Sequence, residues 1–140
     1  MNDLEKKIQH INSLISSQLW FDFEVHACSR QTVKILGGLD LLSNKHDLEI
    51  VFKEVFFVSC PMEWKSDTSL TVLSIIEGDR KLEINKHFQV EQEHILFEFL
   101  AEDYDKDFSC ILSAKFVDYI IPESSILEIN ACNITLDTNI

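Results

Sequence analysis

Two hydrophobic periods divide the chain. Leu4, Ile8, Ile11 and Ile15 recur at steps of four, three and four. With Leu14 they make one stripe of a 3.6-residue repeat and predict an amphipathic helix over residues 3–17. Asn2, three positions before Glu5, has capping-box spacing, in which side chains satisfy the orphan amides of the first turn. Beyond Ser16-Ser17-Gln18 the period falls to two. Phe21, Phe23, Val25 and Ala27 alternate with Asp22, Glu24, His26 and Cys28, the pattern of a half-buried strand. Ser29-Arg30-Gln31 turns the chain, and Val33 and Ile35 resume the alternation until Gly37-Gly38 marks a bulge or bend.

A long strand follows over about 46–59. Leu48, Ile50 and Phe52 lie on one parity, Val55 and Phe57 on the other, so a one-residue bulge near Lys53-Glu54 is needed to keep both groups on one face. Pro61 ends the run because it cannot donate to a ladder, and Lys65-Ser66-Asp67-Thr68 reads as a polar connection. A strand over 69–77, a tight turn at Gly78-Asp79 and a strand carrying Leu82, Ile84 and Phe88 predict a hairpin. Ile95, Phe97, Phe99 and Ala101 lead into a second hairpin, turned by the acidic stretch 103–107 and returned by Phe108, Cys110, Leu112, Ala114 and Phe116. A short last strand is expected over 126–129 and a frayed tail over 133–140.

Connections this short leave no room for crossover helices, so the strands are expected to be antiparallel. The prediction is an α+β fold: an N-terminal helix packed on a strongly twisted, curled antiparallel sheet, a half-barrel of seven to eight strands between about 19 and 130. Residues 1–140 form one domain in this reading. The second face of the sheet is not fully polar, since Val51, Leu73, Ile75, Leu96, Leu100, Ile111 and Val117 fall opposite the main apolar face. One helix, about 10 Å across, covers about two strands spaced 4.8 Å apart. The sheet must therefore curl on itself, or a partner must cover what remains, a homodimer being one such partner.

Composition narrows the function more than the pattern does. The chain has 140 residues, 46% of them hydrophobic, with 10 Phe but only 3 Gly and 2 Pro, so it can bury a core without staples. Twelve basic against 24 acidic residues leave a formal charge of −12, which repels nucleic-acid backbones and anionic membranes. The N-terminus lacks the apolar core of a signal peptide, and no run is long enough for a membrane span, so a cytoplasmic location is expected. There the four cysteines, with no short-spaced pair among them, are all read as reduced, buried or half-buried thiols. The glycosylation-like Asn133-Ile134-Thr135 then carries no meaning.

No chemistry-bearing motif rises above this background. Asp22, Glu24, His26 and Cys28 form one outward row, but alternate strand residues are too far apart to close a zinc site unaided, so the row is read as a solvated face. Asp103-x-Asp105-x-Asp107 begins like a calcium loop, yet Phe108 and Ala114 stand where such a loop requires Gly and Glu. The nucleophile elbow, the P-loop and the dinucleotide fingerprint are all missing. No catalytic residue, metal or cofactor is assigned. Trp20 and Trp64 are read as aromatic caps on the core.

The expected function is a non-enzymatic acidic binding protein that engages a basic partner protein. Its contact surface is placed on Glu91, Glu93, Glu102, Asp103, Asp105 and Asp107. In size and charge the chain resembles the immunity proteins that block basic toxins, a likeness without a shared motif, and it implies an immunity-type inhibitor. The alternative is a lipocalin-like barrel or half-barrel holding a small apolar ligand, with Phe21/Phe23, Phe97/Phe99 and Phe108/Phe116 lining the cavity.

Overall fold

The apolar stripe at the N-terminus forms helix α1 (Asp3–Ser16). Asn2 caps it, its side-chain oxygen accepting the Glu5 N–H at 2.8 Å. Ile8, Ile11, Leu14 and Ile15 are buried against the sheet. The structure, a computed structural model, describes residues 2–43, 45–90, 93–103, 110–123 and 125–127. Among these, seven strands follow α1: β1 (Phe21–Ser29), β2 (Thr32–Gly38), β3 (Leu48–Ser59), β4 (Glu63–Ser66), β5 (Leu73–Ile75), β6 (Ile95–Phe99) and β7 (Cys110–Ile120). They form one antiparallel sheet in the order β4-β1-β2-β3-β7-β6-β5. A second helix, α2 (Gly78–Phe88), lies between β5 and β6 in the chain.

The sheet curls into a half-barrel. Strands β4 and β6 are separated by four others in the sheet order, yet the rings of Trp64 and Phe99 are 5.2 Å apart. Past the end of β6, where Leu100 N–H still bonds to Val72 O beside β5 at 2.8 Å, Glu102 donates to Lys65 O of β4 at 2.7 Å, drawing the two sides together. The concave face is packed with rings. Phe23 meets Phe99 at 5.2 Å and Phe52 meets Phe97 at 5.1 Å, while Trp64 lies nearly parallel to Phe23 at 5.6 Å. Phe21, Phe23, Phe97 and Phe99 thus fill the interior against one another and their neighbours, each at most 1% exposed. Phe116, expected in the same inward set, points outward and is 56% exposed; Phe108 lies outside the described residues.

The reason for Phe116 is a change of side shared by two strands. Lys53 faces Phe116 across the β3–β7 ladder and both are outward, whereas Val55 faces Ala114 and both are buried. The parity switch expected near Lys53-Glu54 is made by Glu54, whose backbone is left-handed (φ 51°), and the ladder's register shift follows between Val55 and Phe57. In β1 the shift falls between Val25 and Ala27, leaving His26 as the extra residue. Strand β2 runs on through Gly37 and Gly38. A Cβ on Gly37 would stand 2.4 Å from a ring carbon of Phe21, so close aromatic packing explains that glycine.

Five expectations are corrected. The hairpin at Gly78-Asp79 is helix α2: Gly78 takes a positive φ of 72°, Asp79 sits in the first turn, and Lys86 and His87 in the last turn complement the helix dipole. Gln89, left-handed, closes that helix. Strand β4 occupies part of the expected polar connection, and the expected strand over 69–77 shrinks to Leu73–Ile75. Leu73, Ile75 and Val117 belong to the inner face, opposite Phe99, Phe97 and Phe52 respectively. Ile126 and Leu127 are helical in backbone. Leu127 is buried, and the segment is held by Ser125 Oγ donating to Asp47 O at 2.7 Å; 128–129 and the tail 133–140 lie outside the described residues.

Helix α2 answers part of the coverage problem that α1 alone could not. The Phe88 ring stacks on Phe57 with centroids 4.2 Å apart. Arg80 reaches the outer face of β6 with both guanidinium nitrogens, Nη1 donating to Glu98 Oε1 at 2.9 Å and Nη2 to Oε2. Beside these contacts Leu96, an outward residue of β6, is fully buried.

Candidate docking groove

The register of β1 with β4 builds the site. Phe23 faces Trp64 on the concave side; on the convex side Asp22 faces Lys65 and Glu24 faces Glu63. Because Glu102 N–H bonds to Lys65 O, Glu102 and Asp103 are carried to the outer edge of β4. Asp103 has a left-handed backbone (φ 67°), a conformation that aspartate tolerates at turns. The opposite wall is the chain after β2, where Leu39 and Asp40 lead into a 3-10 turn at Leu41–Ser43. Trp20 fixes this wall by donating its Nε1–H to Leu39 O at 3.0 Å. Between the walls lies a groove of about 700 Å³.

Its charge is one-sided. Among the described residues, Asp22, Glu24, Asp40, Glu63, Glu102 and Asp103 line it, with Lys65 the one cationic side chain in the lining. Like charges directly opposite on neighbouring strands are destabilising, and Glu24 and Glu63 are such a pair. Neither makes an ion pair among the described residues. Burial pushes the Asp22 carboxyl above its ordinary value, and the attraction of Lys65 offsets that only in part. Leu39, Leu41 and Leu42 add apolar surface to one wall. The arrangement suits a cation on an aliphatic stem: carboxylates for the charged head, leucines for the methylenes.

Of the residues expected at a contact surface, Glu102 and Asp103 are in this groove. Glu93 is elsewhere, its carboxylate 3.2 Å from Lys115 Nζ. Glu91, Asp105 and Asp107 lie outside the described residues. Asp22, Glu24, Asp40 and Glu63 were not anticipated, because their convergence depends on β4 pairing with β1. The row Asp22, Glu24, His26 and Cys28 is itself broken: the bulge at His26 puts Cys28 opposite Val33, a core-facing residue. Trp64 caps the core as expected, while Trp20 is half exposed.

Comparisons with protein-family models, with curated proteins and with solved structures return no match. Among the described residues no helix is long and apolar enough to cross a membrane.

Proposed function

We propose that the protein is a non-enzymatic acidic docking protein whose β1–β4 groove receives a Lys/Arg-rich segment of a basic partner protein. The observation that carries this reading is the Glu24–Glu63 pair, a like-charge facing pair set among four further carboxylates. An isolated sheet gains nothing from such a pair. A cation laid between the two carboxylates turns a repulsion into an attraction. The overall charge of −12 adds long-range steering, which speeds encounter with a basic surface and selects against acidic ones. An immunity-type inhibitor seated in the basic cleft of a toxin is one form of this function. The apolar-ligand alternative gains less support, since Phe21, Phe23, Phe97 and Phe99, which it would use as lining, are in contact with one another or with their core neighbours, and Phe116 points outward.

The test compares two variants of equal charge change. One reverses Glu63, Glu102 and Asp103 to Lys; the other reverses Asp79, Glu83 and Glu123, exposed carboxylates outside the groove lining. Binding of a fluorescent Lys/Arg-rich peptide is read by anisotropy at fixed salt. The groove variant is expected to weaken binding by at least about tenfold, roughly 1.4 kcal/mol, and the control by much less. Equal weakening by both would mean that the peptide senses only net charge.

A further inference from the structure

The β3–β7 ladder is in register through Ser59 opposite Ile111, and one antiparallel step further sets Cys60 opposite Cys110. Facing residues on such strands have Cα atoms about 4.5–5.5 Å apart, within the roughly 4.4–6.8 Å that a disulfide spans. Their surroundings differ. Cys110 is fully buried, facing Phe99 on β6, whereas Cys60 is half-buried at the strand end before Pro61. Hydrogen bonding to Cys110 holds the Cys60 thiol below its ordinary value, and the same interaction together with burial pushes the Cys110 thiol up. Cys60 is the more accessible sulfur and the more readily deprotonated, whereas Cys110 is sheltered.

We propose that Cys60 and Cys110 are a redox-active cross-strand dithiol, oxidised to an intramolecular disulfide by a low-molecular-weight disulfide. Cys60 Sγ, as thiolate, attacks one sulfur of the reagent R–S–S–R; a Cys60–S–S–R bond forms as the reagent's S–S bond breaks and RS⁻ leaves. Cys110 gives up its proton, which RS⁻ accepts, and the Cys110 thiolate attacks Cys60 Sγ. The protein disulfide forms and the second RS⁻ departs to be protonated by solvent. Two protein thiols have lost two electrons and one small disulfide has become two thiols. Exposed Cys28, on β1, takes no part. The bond fastens the start of the β3–β4 connection to the first residue of β7, and the inference stands independently of the docking function.

The experiment is to incubate the reduced full chain with oxidised glutathione and follow intact mass and peptide maps. A species lighter by two hydrogens, with the Cys60 and Cys110 peptides linked, is expected. In Cys110→Ser the reaction is expected to stop at a glutathione adduct on Cys60; in Cys60→Ser, Cys110 stays unmodified. Should either variant fail to fold, the wild-type peptide map decides alone. Cys60 and Cys110 both remaining free under conditions that fully modify Cys28, or linkages running only through Cys28 or Cys132, would overturn the proposal.

Discussion

The carboxamide of Asn12 makes both backbone hydrogen bonds of Leu73. Its Nδ2 donates to the Leu73 carbonyl at 2.7 Å and its Oδ1 accepts the Leu73 N–H at 2.9 Å. Strand β5 is an edge of the sheet, and edges present unpaired amides and carbonyls. Here a helix side chain takes the place of a neighbouring strand. Asn12→Ala leaves two backbone groups beside the core without partners and is expected to cost about 2–3 kcal/mol in urea unfolding. A loss under about 0.5 kcal/mol would show that water replaces the carboxamide at little cost.

The turn between β1 and β2 is a two-residue loop closed by the pair Ser29 and Thr32. Both loop residues are left-handed, Arg30 at φ 50° and Gln31 at φ 64°, as a type I′ turn requires. Neither side chain favours that region. Replacing Arg30-Gln31 by Asn-Gly relieves the strain while keeping the backbone bond from Val55 N–H to Gln31 O. The double variant is expected to be more stable by roughly 1 kcal/mol, seen as a higher melting temperature. A lower one would refute the turn assignment.

Asp22 and Asp67 predict opposite pH signatures. Burial raises the folded-state value of Asp22 above its usual 3.8. Below the unfolded value the group is protonated in both states and costs nothing; as pH rises through the folded value, the folded protein must charge a carboxyl it disfavours. Asp22→Asn should therefore match the parent in strong acid and melt higher at neutral pH. Asp67 is the reverse, its carboxylate held below the usual range by the Ser69 hydroxyl and amide. Its stabilisation is present above the unfolded value and is lost as pH falls through the folded one, so Asp67→Asn should melt lower at neutral pH. Melting temperatures between about pH 3 and pH 7 check both signs; parallel curves for either variant and the parent would contradict that variant's assignment.

Legibility in the sequence followed how much of each element's burial is local. The stripe from Leu4 to Ile15 and the alternations around Phe21, Ile50 and Phe97 are each written within one segment, so α1, β1, β3 and the β6–β7 hairpin could be read directly. Helix α2 has no buried residues, and Leu82 and Ile84 on either side of Glu83 mimic a strand beside a glycine. Strand β4 is four residues long and follows a proline, and its Trp64 and Ser66 are buried only because the sheet curls. The acidic groove needs that curl as well. Glu102 and Asp103 stood out as part of an acidic run, whereas Asp22, Glu24 and Glu63 are ordinary outward residues until β1 and β4 are paired.

The most direct test of the docking account is where a basic segment sits. Isotope-labelled protein titrated with a Lys/Arg-rich peptide should show amide shifts concentrated at Asp22, Glu24, Leu39 to Leu42, Glu63 to Lys65, Glu102 and Asp103, fading as salt is raised. Shifts spread evenly over the acidic surface, or gathered on α2 and the outer face of β7, would contradict it.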